Sequence, residues 1–486
     1  MRPVSTAAPA WRDLLAGSNA LRSIALTGGV ALHAINVHIV TTILPSVVRD
    51  IGGLPYYAWN TTLFIVASIL GSTLSAKLID RFHPRAAYLF ALAVFSIGTI
   101  GCATAPNMVW MLAGRSVQGL GGGILAAVSY ALIRIVFEER LWSRAVALVS
   151  GMWGVATLFG PAVGGLFAQT GNWRLAFWVL LPIAASQAVI VNSQVKGGRN
   201  NVTDTVTDTG TLKVPFGKIL LLASSVLVIA FGALFEQTGW KVAGVATGLA
   251  LGFAVARLDR HATVRMLPTG TYSLHAPLGA TFACVCLLMV GTTTEIFVPY
   301  FLQVIHHHTP LTAGYMTAAM AGGWSIASLL SSGRMGRAAD RMVRIGPVCV
   351  AAALIVLAVM MPERERLPIM IETLLLIIAL AGVGFGVGLG WPHLLTRVLK
   401  SAPAGEENLA SSAITTVQLY AMAIGAALAG LIANAAGLSN PGGLDGARHA
   451  AYWLFGSFAV APMFAIWLCK RMLRPRLSNK SVRFYE

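Results

Sequence analysis

A few side chains able to carry charge or a proton stand inside long apolar stretches of this sequence. Arg115 lies in GRSVQGLGGG (114–123) with Gln118 one helical turn away, Glu295 in MVGTTTEIFVPYFLQ, and His33 and His38 within an apolar run over 22–47. An ionisable group at membrane depth is costly and marks a cavity or a transport pathway. Glu295, with Thr292, Thr293 and Thr294 beside it, has the chemistry of a proton carrier, and it equally suits a place near the outer boundary of its stretch. Histidine titrates near pH 6.5 and is an alternative carrier; a histidine inside a helix also serves as a hydrogen-bonded packing residue. Arg115 and Gln118 share one helix face, so the arginine either lines a cavity or anchors its helix by snorkelling. Three consecutive histidines at 306–308 cannot all face one ion from a helix, so no metal site is expected. The sequence holds no His-Asp-Ser set, no group of carboxylates at membrane depth and no G-x-x-x-x-G-K-[ST] loop. Neither an enzyme nor a bound cofactor is expected.

The composition dictates what must position these residues. Of 486 residues 56% are hydrophobic and 11% charged, and mean hydropathy is +0.73. Soluble proteins carry about 25% charged residues, so lipid is the solvent of this chain. The five cysteines (Cys102, Cys284, Cys286, Cys349 and Cys469) show no disulfide or zinc spacing.

Apolar stretches of the roughly 20 residues that span a bilayer fall at 22–47, 57–79, 86–105, 109–136, 144–168 and 174–194. After the polar segment NSQVKGGRNNVTDTVTDTGTLKVP (192–215) come 217–235, 239–256, 275–304, 311–333, 345–361, 368–396, 408–436 and 449–469. That is about fourteen spans, the pair at 217–256 having the least defined limits. With the N-terminus inside, the inner connections collect Arg81 and Arg85, Arg140 and Arg144, Lys196 and Arg199, Arg257, Arg260 and Arg265, and Arg334, Arg337, Arg341 and Arg344. The tail adds Lys470, Arg471, Arg474, Arg476, Lys480 and Arg483, whereas the outer connections carry few basic residues. This is the positive-inside pattern. It accounts for the net charge of +17 through topology and the anionic inner leaflet, excludes nucleic acid as a partner, and places both termini in the cytoplasm. No cleavable signal peptide is expected, because the first apolar stretch is too long.

AKLIDRFHPR (76–85) and GRAADRMVRI (336–345) recur at corresponding points of the two parts, each with Asp-Arg at the inner end of a span. A repeat of this kind marks matched halves. A helix C-terminus disfavours the charge of Asp80; Arg81, Arg85 or a helix N-terminus of the other half would have to hold it and would latch the halves on the inner side. Residues 151–165, GMWGVATLFGPAVGG, place Gly160, Pro161, Gly164 and Gly165 in a stretch that must be helical. Small residues allow close helix approach and proline gives a kink.

These motifs, in this order over about residues 22–470, resemble those of the major facilitator superfamily, and within it the fourteen-span drug:proton antiporters. Asp80-Arg81 with Arg85, and Gly336, Asp340, Arg341 and Arg344, are similar to its cytoplasmic motif, with Ala76 and His83 in place of two glycines. Arg115-x-x-Gln118-Gly119 resembles its fourth-span motif, and Gly160-Pro161-x-x-Gly164-Gly165 the antiporter motif of its fifth. VPYFLQVIHHHTPLTAGY (298–315), which contains Gln303, is similar to its Pro-x-x-Leu-Gln followed by Thr-Pro-x-x-Ala-Gly. The resemblance implies an all-α membrane protein of two six-helix bundles, 1–195 and 271–486, with a cytoplasmic loop and two extra membrane helices over 196–270. It implies alternating-access export of small amphipathic organic compounds coupled to protons, in the cytoplasmic membrane, by a chain in contact with lipid and acting as a monomer. The fifth-span run would serve as hinge or seal between halves. Aligned on Leu44-Pro45, the family's first-span acid is Asn36 here, with His38 and Thr41 at its companion positions. An amide cannot carry a proton, so Glu295, His33 or His38 would have to, or the protein is a lipid or metabolite exporter, or a uniporter, without that coupling. Glu372 and His393 flank a later span as further cavity candidates.

Overall fold

The computed structural model describes residues 11–138, 141–195, 215–364 and 367–473. Arg140, Arg366, the polar segment over 196–214 and the basic tail from 474 lie outside them. A short α1 (Trp11–Leu15) is followed by α2 (Ser18–Ile51), α3 (Trp59–Ala103), α4 (Met108–Val136), α5 (Trp142–Gln169), α6 (Leu175–Trp178) and α7 (Leu180–Gln194). After the polar segment come α8 (Phe216–Gly232), α9 (Thr238–Arg260), α10 (Pro277–Thr292), α11 (Val298–Val304) and α12 (Pro310–Ser332). The chain continues through α13 (Arg337–Met360), α14 (Ile369–Lys400), α15 (Glu407–Ala435), α16 (Gly443–Phe458) and α17 (Val460–Met472). No strand occurs among the described residues.

Eleven helical segments among the described residues are long and apolar enough to cross a membrane, fewer than the apolar stretches of the sequence. The stretches at 57–79 and 86–105 are the two helices of α3, divided at His83, whose φ of 63° and ψ of 157° are non-helical, just before Pro84. Proline's ring crowds the residue before it out of the α conformation, which ends the first helix and starts the second with no intervening loop. α8 is short, and α12, rich in Gly, Ser and Thr, is less apolar than the rest. The stretch over 275–304 is interrupted by a 3-10 turn at Thr293–Phe297 between α10 and α11.

α2 packs against α5, α4 and α7, and α3 lies along α4; α14 packs against α12 and α13, and α10 against α15 and α17. Missing side chains let backbones meet: a Cβ on Gly119 of α4 would stand 2.3 Å from the Phe64 carbonyl oxygen of α3, and one on Gly384 of α14 1.7 Å from that of Met320 of α12. The two groups of helices join through α5 on α12, α3 on α15, and α2 on α11 and α12. α8 pairs with α9 and leans on α15 and α3.

The connection after α9 is fixed by a buried carboxylate. Asp259 accepts from Lys218 Nζ at 2.7 Å, from the Met266 and Leu267 backbone N–H groups at 2.7 and 3.1 Å, and from the Tyr272 hydroxyl at 2.9 Å. Glu406, just before α15, accepts from the Thr269 hydroxyl and N–H, each at 2.6 Å; these bonds hold its carboxyl below the usual glutamate range.

Consecutive long helices alternate direction, so the molecule has an Asp80 end and an Asp50 end. At the Asp50 end Asp50 accepts from Arg174 Nη1 at 2.6 Å and Trp173 Nε1 at 3.1 Å. The contacts between the two groups of helices gather there. Asn434 Nδ2 of α15 donates to the Pro55 carbonyl at 2.9 Å, and the Tyr57 ring lies 4.9 Å from that of Phe297 and 5.5 Å from that of Tyr300.

Candidate functional site

Arg115 is 2% exposed and is held by neutral groups. Its Nη1 donates to Gln118 Oε1 at 2.6 Å and its Nε to the Asn60 carbonyl at 3.3 Å. Its guanidinium carbon lies 4.1 Å from the centre of the Phe64 ring. Gln118 in turn donates to Thr99 Oγ1 at 2.9 Å. The i, i+3 spacing on α4 aims both side chains at α3, so the expected partnership of Arg115 and Gln118 is present. The arginine is built into the wall between α3 and α4. A desolvated cation over an aromatic face gains about 2 kcal/mol, which offsets part of the cost of burying it. The His33 ring also stacks with Phe64 at 5.3 Å, and Trp153 of α5 meets His33 edge-on at 6.1 Å. One row of side chains thus ties together α2, α3, α4 and α5.

The buried polar atoms with no hydrogen-bond partner among the described residues include both amide atoms of Asn36 and of Gln303, His33 Nδ1, the Tyr57 hydroxyl, Trp59 Nε1 and Asn60 Oδ1, with Ser129 Oγ, Thr271 Oγ1 and Arg448 Nε elsewhere. Buried polar groups in folded proteins are nearly always paired. Their concentration on α2, the start of α3 and α11 marks a place suited to a polar, largely uncharged partner, with aromatic rings to cover its apolar part.

Glu295 is half-buried in the 3-10 turn between α10 and α11. Its three threonine neighbours do not serve it: Thr292, Thr293 and Thr294 donate to the carbonyls of Met289, Val290 and Gly291. The structure shows no ion pair between Glu295 and Arg115. His38 sits between α2 and α5 with Nε2 3.4 Å from Thr157 Oγ1.

α5 remains helical through Pro161. Its glycines work by absence of bulk: a Cβ on Gly160 would meet His38 Cβ at 2.3 Å, one on Gly164 the Ile39 carbonyl oxygen at 2.9 Å, and one on Gly165 the Leu311 Cα at 2.6 Å. Across the junction, a Cβ on Gly314 of α12 would meet Thr42 Cγ2 at 2.8 Å and Pro161 Cβ at 3.0 Å. Gly151 and Gly154, nearer the Asp80 end, have open space.

The two Asp-Arg copies differ in structure. Asp340 accepts from Arg397 of α14, within its own group of helices, and Arg341 is exposed. Asp80 is exposed and forms no ion pair among the described residues. The expectation that Arg81 or Arg85 holds it is corrected: the Arg81 guanidinium lies 5.7 Å from the Phe82 ring centre, and Arg85 donates to Asn192 of α7. Among the other candidates, His393 is buried with Nε2 3.0 Å from Ser331 Oγ, and Glu372 lies against His306. Sequence reasoning missed Tyr57, Asn60, Phe64 and Trp153. Their roles arise from contacts between helices far apart in the chain, which no local spacing encodes; the tryptophan and asparagine at the head of α3 are the one local trace.

Residues 26–426 match the Major Facilitator Superfamily. The chain is 38% identical over 460 residues to a probable multidrug-efflux transporter of Mycobacterium tuberculosis (strain ATCC 25618 / H37Rv), covering 94% of this chain and 95% of that protein. It is 22% identical to multidrug resistance protein 3 of Bacillus subtilis (strain 168), covering 83% and 77%. Its fold is similar to that of a POT family transporter crystallised with 5-aminolevulinic acid, with TM-score 0.66 at 12% identity over 94% of this chain and 97% of that one. It is also similar to a bacterial homologue of the lysosomal transporter Spinster in an inward-facing, unoccupied conformation, with TM-score 0.60 at 13% identity over 94% and 96%.

Proposed function

Because the chain belongs to the major facilitator superfamily, we propose that it exports small amphipathic organic compounds across the cytoplasmic membrane by alternating access, driven by protons. As a member of that superfamily it is a membrane transporter and not an enzyme. The observation that carries the substrate reading is the set of unpaired buried polar groups, Asn36, Gln303 and Tyr57 among them, beside aromatic rings at the junction of the two groups of helices. A multidrug-efflux relative of nearly the same length supports it.

In this reading residues 1–195 and 271–486 are the two bundles, and 196–270 supplies a cytoplasmic loop and the α8–α9 pair. Splitting α3 at His83 and adding α8 and α12 to the eleven apolar segments brings the spans to fourteen. The Asp80 end faces the cytoplasm with both termini, and the contacts gathered at the Asp50 end make this the inward-facing state. The chain works as a monomer in lipid. Asn36, His38, Arg115, Gln118, Glu295 and Gln303 line the substrate and proton pathway. Gly160, Pro161, Gly164 and Gly165 seal the Asp50 end, and Asp80, Arg81, Arg85, Asp340 and Arg341 act in the change of state. Asn36 in place of an acid favours a second reading, transport without proton coupling.

Purified protein in liposomes loaded with an amphipathic dye separates the two. Coupled export predicts dye flux that rises with an imposed pH gradient, and a loss of about tenfold, equivalent to 1.4 kcal/mol, in Glu295→Gln. Full gradient-driven flux in Glu295→Gln with a loss in His38→Ala moves the carrier to the histidine. Flux indifferent to the gradient in the unaltered protein selects the uncoupled reading.

A further inference from the structure

The connection between α11 and α12 carries a buried histidine whose two nitrogens both face acceptors. His306 Nε2 lies 3.0 Å from the Met361 carbonyl oxygen at the end of α13. Its Nδ1 lies 2.8 Å from Glu372 Oε1 in the first turn of α14, with the two side chains 3% and 7% exposed. A carbonyl oxygen only accepts, so Nε2 must carry a proton. A second proton is then needed between Nδ1 and Oε1, because a bare ring nitrogen and a carboxylate are both acceptors.

We propose that His306 and Glu372 form a proton-binding site, which fastens the α11–α12 connection to the ends of α13 and α14 only while one proton is held between Nδ1 and Oε1. Loss of that proton leaves two outcomes. If the remaining ring proton stays on Nε2, the Nδ1 lone pair faces the carboxylate; if it moves to Nδ1, the Nε2 lone pair faces the Met361 carbonyl. Each sets acceptor against acceptor inside a buried contact, where an unpaired polar group is costly. The contact therefore opens as the proton leaves.

Among the described residues, the charged and titratable groups bearing on the ring include Glu372 from α14, Arg364 from the α13–α14 connection and His308 from its own connection, whose ring stacks at 6.3 Å. Burial first of all holds His306 below the ordinary imidazole range, against the upward pull of the Met361 carbonyl and Glu372, and Arg364 adds to the lowering. The site lies at the Asp50 end, where the two groups of helices are in contact, so its opening loosens the frame of α12.

The test needs no transport assay and is independent of the export reading. In full-length protein with 15N-labelled histidine, the His306 ring is identified by its through-space contact with a 13C-labelled Met361 carbonyl. The expected spectrum has Nε2 protonated and Nδ1 strongly hydrogen-bonded, both changing together as rising pH removes the shared proton. In Glu372→Gln the amide N–H donates to Nδ1 in place of the carboxyl, and that pH-linked change disappears. A bare Nε2 in the unaltered protein overturns the proposal, and so does a His306 titration identical in Glu372→Gln.

Discussion

Arg115 is the residue on which the chemistry of the N-terminal group of helices turns. A guanidinium presents flat donors in several directions, and here those donors reach Gln118, the Asn60 carbonyl and the face of Phe64 at once. Lysine keeps the charge but has a single compact head that cannot serve all three. Arg115→Lys is expected to lower stability by about 1.5–3 kcal/mol, the worth of a hydrogen bond to a charged group, and to depress transport. A thermal melt in detergent and a flux assay check it; an unchanged melting temperature removes the wall-building role. The arginine and its glutamine were legible in the sequence because helical spacing puts them on one face. Asn60, Phe64 and Thr99 were not, since each reaches Arg115 or Gln118 from a different helix. Asn36 was legible as an anomaly, a polar residue in an apolar run, and its burial without a partner gives that anomaly its physical content.

Among the elements, α5 and α12 show what glycine and proline do in membrane helices. Pro161 stays within a continuous helix because the neighbouring helix, brought close by glycine, supplies packing where the proline weakens the backbone ladder. Gly314→Val places methyl groups where Thr42 and Pro161 already stand at 2.8 and 3.0 Å from the first added carbon. Overpacking of this kind costs about 1–3 kcal/mol, and the cost falls only on the state closed at the Asp50 end. The variant is expected to shift its population toward the opposite state, read as greater labelling of cysteines placed on the Asp50 side of α12; labelling equal to that of the unaltered protein refutes it. Most helices were legible from apolar length alone. The boundary at His83 was legible from the polar residues around it, whereas the 3-10 turn around Glu295 was not, because there the chain bends without a polar break. Hydropathy records only the solvent of a segment and says nothing of its direction.

At the scale of the molecule, the two groups of helices meet chiefly at one end, and the repeat in the sequence does not produce a symmetric result. Asp340 accepts from Arg397, whereas Asp80 is exposed and forms no ion pair among the described residues. Helices rocking about a fixed centre must exchange the Asp50-end contacts for contacts at the Asp80 end. α15 and α3 offer a direct check: a Cβ on Gly430 would lie 2.7 Å from the Cβ of Ala58, while a disulfide needs about 3.5–4.5 Å between Cβ atoms. The double variant Ala58→Cys with Gly430→Cys therefore forms its bond after a slight separation of the two helices. Oxidation is expected to fix the Asp50 end shut and stop flux of the dye, and reduction to restore it. An oxidised, cross-linked protein that transports at the full rate refutes rocking about this junction, because the closed end then never needs to open.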